Sequence, residues 1–225
     1  MTNNPTSTPH KIFQFLALGF IFIVLPAGSW YYLNEGYKYR KAIIEELAQD
    51  LGTLPSFQLT NQNNKTINNA ALSGKVAIVN FLSLPPSDEA EAIIQQLVKV
   101  QDQFDKRDDI VFLTFTKANA QEEVATYFET LDIKRNKNQW HFLTDTDAEL
   151  SQVEQKITFP ASFQNGLTDN ATMLIADTSA TIRYLYDFRG KEAVKKLIHH
   201  IPNLMPRPDK KEGIRKSKEI GVTEE

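Results

Sequence analysis

The side chains with the widest chemical range in this chain are four histidines, His10, His141, His199 and His200, several serines and a few carboxylate clusters; cysteine is absent from all 225 residues. Without a thiol, the chain's own chemistry excludes thiolate nucleophiles, dithiol exchange, disulfides, Cys-ligated zinc and iron–sulfur clusters. His199 and His200 are neighbours, and neighbouring helix positions point about 100° apart, so the pair does not face one metal ion. Their placement suits polar helix-end residues favoured by the C-terminal dipole. His141 lies among aromatics in a strand-like run and reads as a satisfied sheet position. Asp88 and Asp169 together offer too few oxygens for a hard cation. Asp145, Asp147 and Glu149 fit the N-terminal turn of a helix. Ser83, Ser87 and Ser151 have no convincing His–acid partners, which leaves a nucleophilic hydrolase unsupported. With nine glycines and no G-x-G-x-x-G run, there is no phosphate-cradling loop.

Charge excludes one further class. Lys and Arg number 25 against 28 Asp and Glu, a net charge of −3. A duplex-binding module shows a basic footprint, and none appears in that balance, so no nucleic-acid partner is expected. The basic residues Lys210, Lys211, Arg215, Lys216 and Lys218 alternate with acids and read as a solvated tail.

The elements that would position these residues follow from patterning. Residues 12–34 carry no charge, and about 20 apolar residues span a hydrocarbon core of roughly 30 Å. Trp30, Tyr31 and Tyr32 follow as an interfacial belt. This predicts an N-terminal transmembrane anchor over 12–33 behind a short tail, 1–11, rather than a cleaved signal with Lys11 in its basic region and Ala27 and Ser29 at its cleavage site. Ile43, Ile44, Leu47 and Leu51 recur at helical spacing and predict an amphipathic neck over 34–53, ended by Gly52 and Pro55.

Beyond the neck the pattern becomes α/β. Residues 57–60 predict a strand, and 76–82, nearly all apolar and β-branched, a central strand covered on both faces. Ser87 or Asp88 caps a helix to about Phe104, with Ile93, Ile94, Leu97 and Val98 inward. Strands follow at 110–116 and 140–144, separated by a helix carrying Val124, Tyr127, Phe128 and Leu131. Leu150, Val153 and Ile157 mark a short helix, and 158–171 an irregular loop. Residues 172–177 and 181–186 form a hairpin, and a last helix sets Val194, Leu197, Ile198 and Ile201 in one stripe. The tail, 203–225, is too polar to bury enough surface to order itself. The plan is a mixed sheet flanked by helices.

The stretch LPSFQLTNQNNKTINNAALSGKVAIVNFLSLPPSDEAEAIIQQL, beginning at Leu54, is similar to the opening of Sco/SenC proteins. Later pieces fit in order and spacing: Trp140-His141-Phe142-Leu143-Thr144, then Leu174-Ile175-Ala176-Asp177 before the outgoing strand and closing helix. The resemblance runs from about Leu54 to His200 and implies a thioredoxin-like domain over 54–202, the fold of copper chaperones for the CuA centre of cytochrome oxidase. It also implies a domain outside the cytoplasm, against the flanking charges Lys38, Arg40 and Lys41, which alone would favour the cytoplasmic side.

The family's copper ligands are a Cys-x-x-x-Cys pair after the central strand and a later histidine. The resemblance places these positions at Pro86, Ala90 and Asp169. Copper(I) is soft and prefers thiolate, so a proline, an alanine and a lone carboxylate leave no copper site, and no thiol for exchange. The resulting expectation is a membrane-anchored accessory or interaction protein without metal, cofactor or enzymatic activity, with a respiratory complex or its assembly factors as partner. The rivals are a metal carrier with a site rebuilt from Asp169, His141 or Met173, and an enzyme with non-thiol chemistry on the same fold.

Overall fold

The computed structural model describes residues 8–144, 150, 153, 156, 171–190 and 192–206. The chain divides into two units, Met1–Glu45 and Glu46–Glu225.

The first unit is helical. Helix α1, Thr8–Gly19, passes through a π-helical turn, Phe20–Val24, into α2, Leu25–Leu47. Phe13, Phe15, Phe22, Trp30, Tyr32 and Leu33 are all exposed. Within the helical run Phe13–Leu47, an 18-residue window has mean hydropathy 1.8 and none of it is buried. That length and composition suffice to cross a membrane. Toward its C-terminal end the helix becomes polar, with Lys38 Nζ 2.7 Å from Glu35 and Lys41 Nζ 3.6 Å from Glu45, one turn apart.

Helix α2 stops at Leu47, short of the Leu51 expected from periodicity. The cause is tertiary. Leu51 N–H donates to Ile182 O and Ile182 N–H to Gly52 O, while Leu54 N–H reaches Ala180 O. Pairing with the outgoing strand of the hairpin replaces the last helical turn. Gly52 takes φ +102°, a conformation that favours glycine.

The second unit is built on a seven-stranded sheet of order β2-β1-β5-β4-β3-β6-β7. The strands are β1 Gln58–Asn61, β2 Thr66–Asn68, β3 Val76–Ser83, β4 Ile110–Lys117, β5 Trp140–Thr144, β6 Thr172–Ala176 and β7 Ile182–Asp187. The core of the sheet, β3–β4–β5, is parallel, and β6, β7, β1 and β2 add antiparallel partners. Strand β3 is central and buried from Val76 to Leu82, as its unbroken apolar run predicts.

Side-chain alternation splits the core in two. Val76, Ile78 and Leu82 pack with helices α3 (Asp88–Gln103), α4 (Gln121–Thr130) and α5 (Ala193–Leu204). Ala77, Val79 and Phe81 face the other way, among Leu54, Phe57, Leu72, Leu150 and Val153. There Phe81 stacks on Phe115 at 5.5 Å between centroids, and Phe57 meets Phe115 edge-on at 5.4 Å. A buried polar chain crosses three strands: Trp140 Nε1 donates to Thr114 Oγ1, which donates to Asn80 Oδ1, each at 2.8 Å.

Candidate functional site

The loop after the central strand is where the sequence resemblance places two of three lost ligands. Strand β3 ends beside β4, with Ser83 opposite Lys117 and Leu84 N–H donating to Lys117 O at 2.8 Å. Pro85 and Pro86 then turn the chain, neither able to donate a backbone hydrogen bond. Ser87 caps α3, its Oγ accepting from Ala90 N–H at 3.2 Å, and Asp88, Glu89 and Glu91 fill the first turn, where the helix dipole favours anions.

Ala90 is 1% exposed, its methyl part of the core beneath α3. Pro86 is half-buried at the wall of an adjoining cleft. At the two positions that the resemblance assigns to sulfur ligands the loop thus carries a proline ring and a buried methyl, and its capping hydroxyl is committed to the helix. Asp169 lies outside the described residues, as do Asp145, Asp147, Glu149, Ser151, Ile157, the 158–170 loop and the tail from 207.

The cleft has a volume of about 580 Å³. Leu84, Pro85 and Pro86 form one side, Thr126, Tyr127 and Thr130 of α4 the other, with Glu122 and Glu123 at the rim. Tyr127 Oη donates to Glu91 Oε2 at 2.7 Å, which fastens α4 to α3 and holds the ring in place. Burial, reinforced by the Glu91 carboxylate, pushes the Tyr127 hydroxyl well above its ordinary pKa, so it stays a neutral donor. The helical spacing of α4 predicts Tyr127 on a packed stripe; the cleft beside it lies between that helix and the proline pair, two elements distant in sequence.

The histidines separate clearly. His141 is half-buried on β5, its Nδ1 3.3 Å from Asn61 Nδ2. Burial, and then nearby Lys75, lower its pKa, as fits a neutral sheet position. Met173 is 1% exposed on β6, in the same face of the core as Trp140 and Phe142. Since His141 alternates with Trp140 and Phe142, it points to the opposite face from Met173. A rebuilt metal site using both is therefore not formed. Among the described residues, no group of three or more His, Asp or Glu side chains is placed to hold a metal ion.

His199 is exposed but His200 is 1% exposed, which corrects the expectation of two polar helix-end residues. His200 Nδ1 lies 2.8 Å from Tyr186 Oη, and Nε2 lies 3.4 Å from Glu46 Oε2. Lys196 Nζ sits 2.8 Å from the same Glu46 oxygen and donates to Tyr184 Oη at 2.7 Å. Burial lowers the His200 pKa to about 4 despite the opposing pull of Glu46. The signal was available: His200 lies three residues after buried Leu197, on the same helical face. This cluster joins Glu46 to α5 and, through His200 and Lys196, to Tyr186 and Tyr184 of β7.

No family model matches the chain, and no curated protein does. Solved structures do. A SCO1/SenC family lipoprotein from Bacillus anthracis str. Ames is 18% identical, with TM-score 0.55, covering 70% of this chain and 98% of that one. BsSco, a member of the Sco family of cytochrome c oxidase assembly proteins, is 14% identical, with TM-score 0.54 over 69% and 95% of the two chains. A thiol:disulfide interchange protein of the thioredoxin family from Chlorobium tepidum TLS is 19% identical, with TM-score 0.53 over 71% and 99%. Sco-family proteins and a thiol:disulfide interchange protein match equally well, which is agreement of fold and not of chemistry. The second unit of this chain has the thioredoxin-like fold.

Proposed function

We propose that this chain is a divergent Sco/SenC-type protein that has given up copper and thiol chemistry, is held at a membrane by its N-terminal helix, and acts as an accessory binding protein in the assembly of a respiratory oxidase. The observation that carries this reading is the combination at one loop. A thioredoxin-like domain spanning nearly the full length of Sco structures has Pro86 and Ala90 after its central strand, and the whole chain has no cysteine. Soft-metal binding and disulfide exchange both need a sulfur there. The ordered motifs from Leu54 to Asp177 favour Sco/SenC over other thioredoxin-like families. The apolar helix before the domain supports anchoring, and the same resemblance supports a domain outside the cytoplasm.

The test is affinity capture of the tagged full chain from its own membranes in mild detergent, with the bound metal measured after desalting. The expected result is co-recovery of oxidase subunits or their assembly factors, with no stoichiometric copper. Stoichiometric copper retained by the wild-type chain would replace this reading with a metal carrier. Release of the chain by a carbonate wash would remove the anchor from it.

A further inference from the structure

We infer that the cleft between the Leu84–Pro86 turn and helix α4 is a docking site for an extended segment of another protein, one that inserts a leucine- or isoleucine-sized side chain flanked by lysine or arginine. The inference deepens the accessory-binding reading and rests on it in treating the chain as a binding protein.

Shape and charge argue together. A volume of about 580 Å³ takes one or two aliphatic side chains and part of a backbone. The walls are largely apolar, with Leu84 and the two prolines opposite Thr126, Tyr127 and Thr130. Tyr127 is held by its bond to Glu91, so the wall is set before any ligand arrives.

The ionisable groups at the rim, Glu122 and Glu123, are both acidic and exposed. Across the proline pair, the first turn of α3 adds Asp88, Glu89 and Glu91. All five are carboxylates in the first turns of two helices, with acids and no base in either turn, so the charge around the cleft is negative. An apolar slot inside a negative rim complements an apolar side chain with cationic neighbours, and repels an acidic segment.

The backbone narrows the binding mode. Pro85 and Pro86 lack N–H groups, and Leu84 N–H is already bonded to Lys117 O. The turn therefore lacks the alternating donors that strand addition uses, which favours side-chain insertion as the main source of affinity.

The experiment uses the full chain in non-ionic detergent at low ionic strength. The probe is a fluorescein-labelled, end-blocked peptide with one leucine between two lysines on each side, followed by anisotropy. Saturable binding is expected, weakened roughly tenfold or more when the leucine is replaced by serine. The double variant Glu122→Lys/Glu123→Lys should weaken it at least as much. Thr126→Trp fills the slot without changing charge and should weaken it similarly. Circular dichroism checks each variant, and the exposed glutamates provide a safe second change if the tryptophan disturbs α4.

No saturable binding, or binding indifferent to the leucine or to Thr126→Trp, would overturn the inference. So would tighter binding of a peptide of residues 207–225, which carries Ile214 beside Arg215 and Lys216, because the cleft would then serve the chain's own tail. Metal retention, which bears on the accessory reading, is measured separately, so the two ideas fail by different results.

Discussion

The loop from Ser83 to Ala90 and the cluster around His200 stand in opposite relation to the chemistry each carries. The loop sits where thioredoxin-like proteins keep reactive sulfur, yet it presents prolines, a buried methyl and a hydroxyl spent on capping. The cluster gathers a histidine, two tyrosines, a lysine and a glutamate within hydrogen-bonding or ion-pair range, yet His200 is sealed in the core. The side chains of the cluster thus serve packing, while those of the loop lie at an open surface. The lowered histidine pKa in this molecule comes from burial at a structural joint.

The largest expected effect lies directly beneath the loop. Phe81→Ala removes a ring stacked on Phe115 and should cost about 3–5 kcal/mol in urea or thermal unfolding. A cost no greater than that of a loop substitution would mean that the sheet, not the loop, has been misplaced.

The cluster gives the next effect, through pH. His200 has its pKa lowered to about 4 in the fold, whereas an unfolded histidine titrates near 6.5. Between those values the unfolded chain binds the extra proton, so stability rises with pH across the window and is lost as pH falls from 7 toward 4. The full contribution is of order 3 kcal/mol, and below pH 4 it is gone. Glu46, Lys196, Tyr184, Tyr186 and His199 surround the ring or its helix, so the measurement is the difference between wild type and His200→Gln. That variant should show a flatter stability profile from pH 4 to 6.5. Identical slopes would place His200 in contact with solvent and dissolve the contrast between the regions.

The smallest effect belongs to the loop itself. Pro86→Ala should change stability by less than about 1 kcal/mol, mainly through the freedom of the unfolded chain. A loss approaching that of Phe81→Ala would make the loop a structural keystone.

Much of this architecture is legible in the sequence where burial is two-sided. The apolar runs of β3 and β4 and the aromatic β5 are found at nearly their observed bounds, because a covered strand cannot carry charge. Ser87 shows as a cap because hydroxyl, acids and an apolar stripe coincide. Strand β2 was hidden: Thr66-Ile67-Asn68 is short and polar, and it exists only by pairing with β1 at the sheet edge. The early stop of α2 was hidden for the same reason, since its competitor, Ile182, is distant in sequence. At the site, Pro86 lies in the loop before α3 and Ala90 in the first turn of that helix. The cleft beside them was not readable, because a gap between two elements has no residue pattern of its own.

The central claim is that Pro86, Ala90 and Asp169 hold vacated copper-ligand positions. Its most direct test is copper bound per chain, after desalting, by the variant Pro86→Cys/Ala90→Cys/Asp169→His, with circular dichroism showing an intact fold. Two sulfurs and an imidazole would form a soft site, and the account predicts near-stoichiometric copper(I) on the variant and none on the wild type. A well-folded variant that binds no more copper than the wild type would contradict the account.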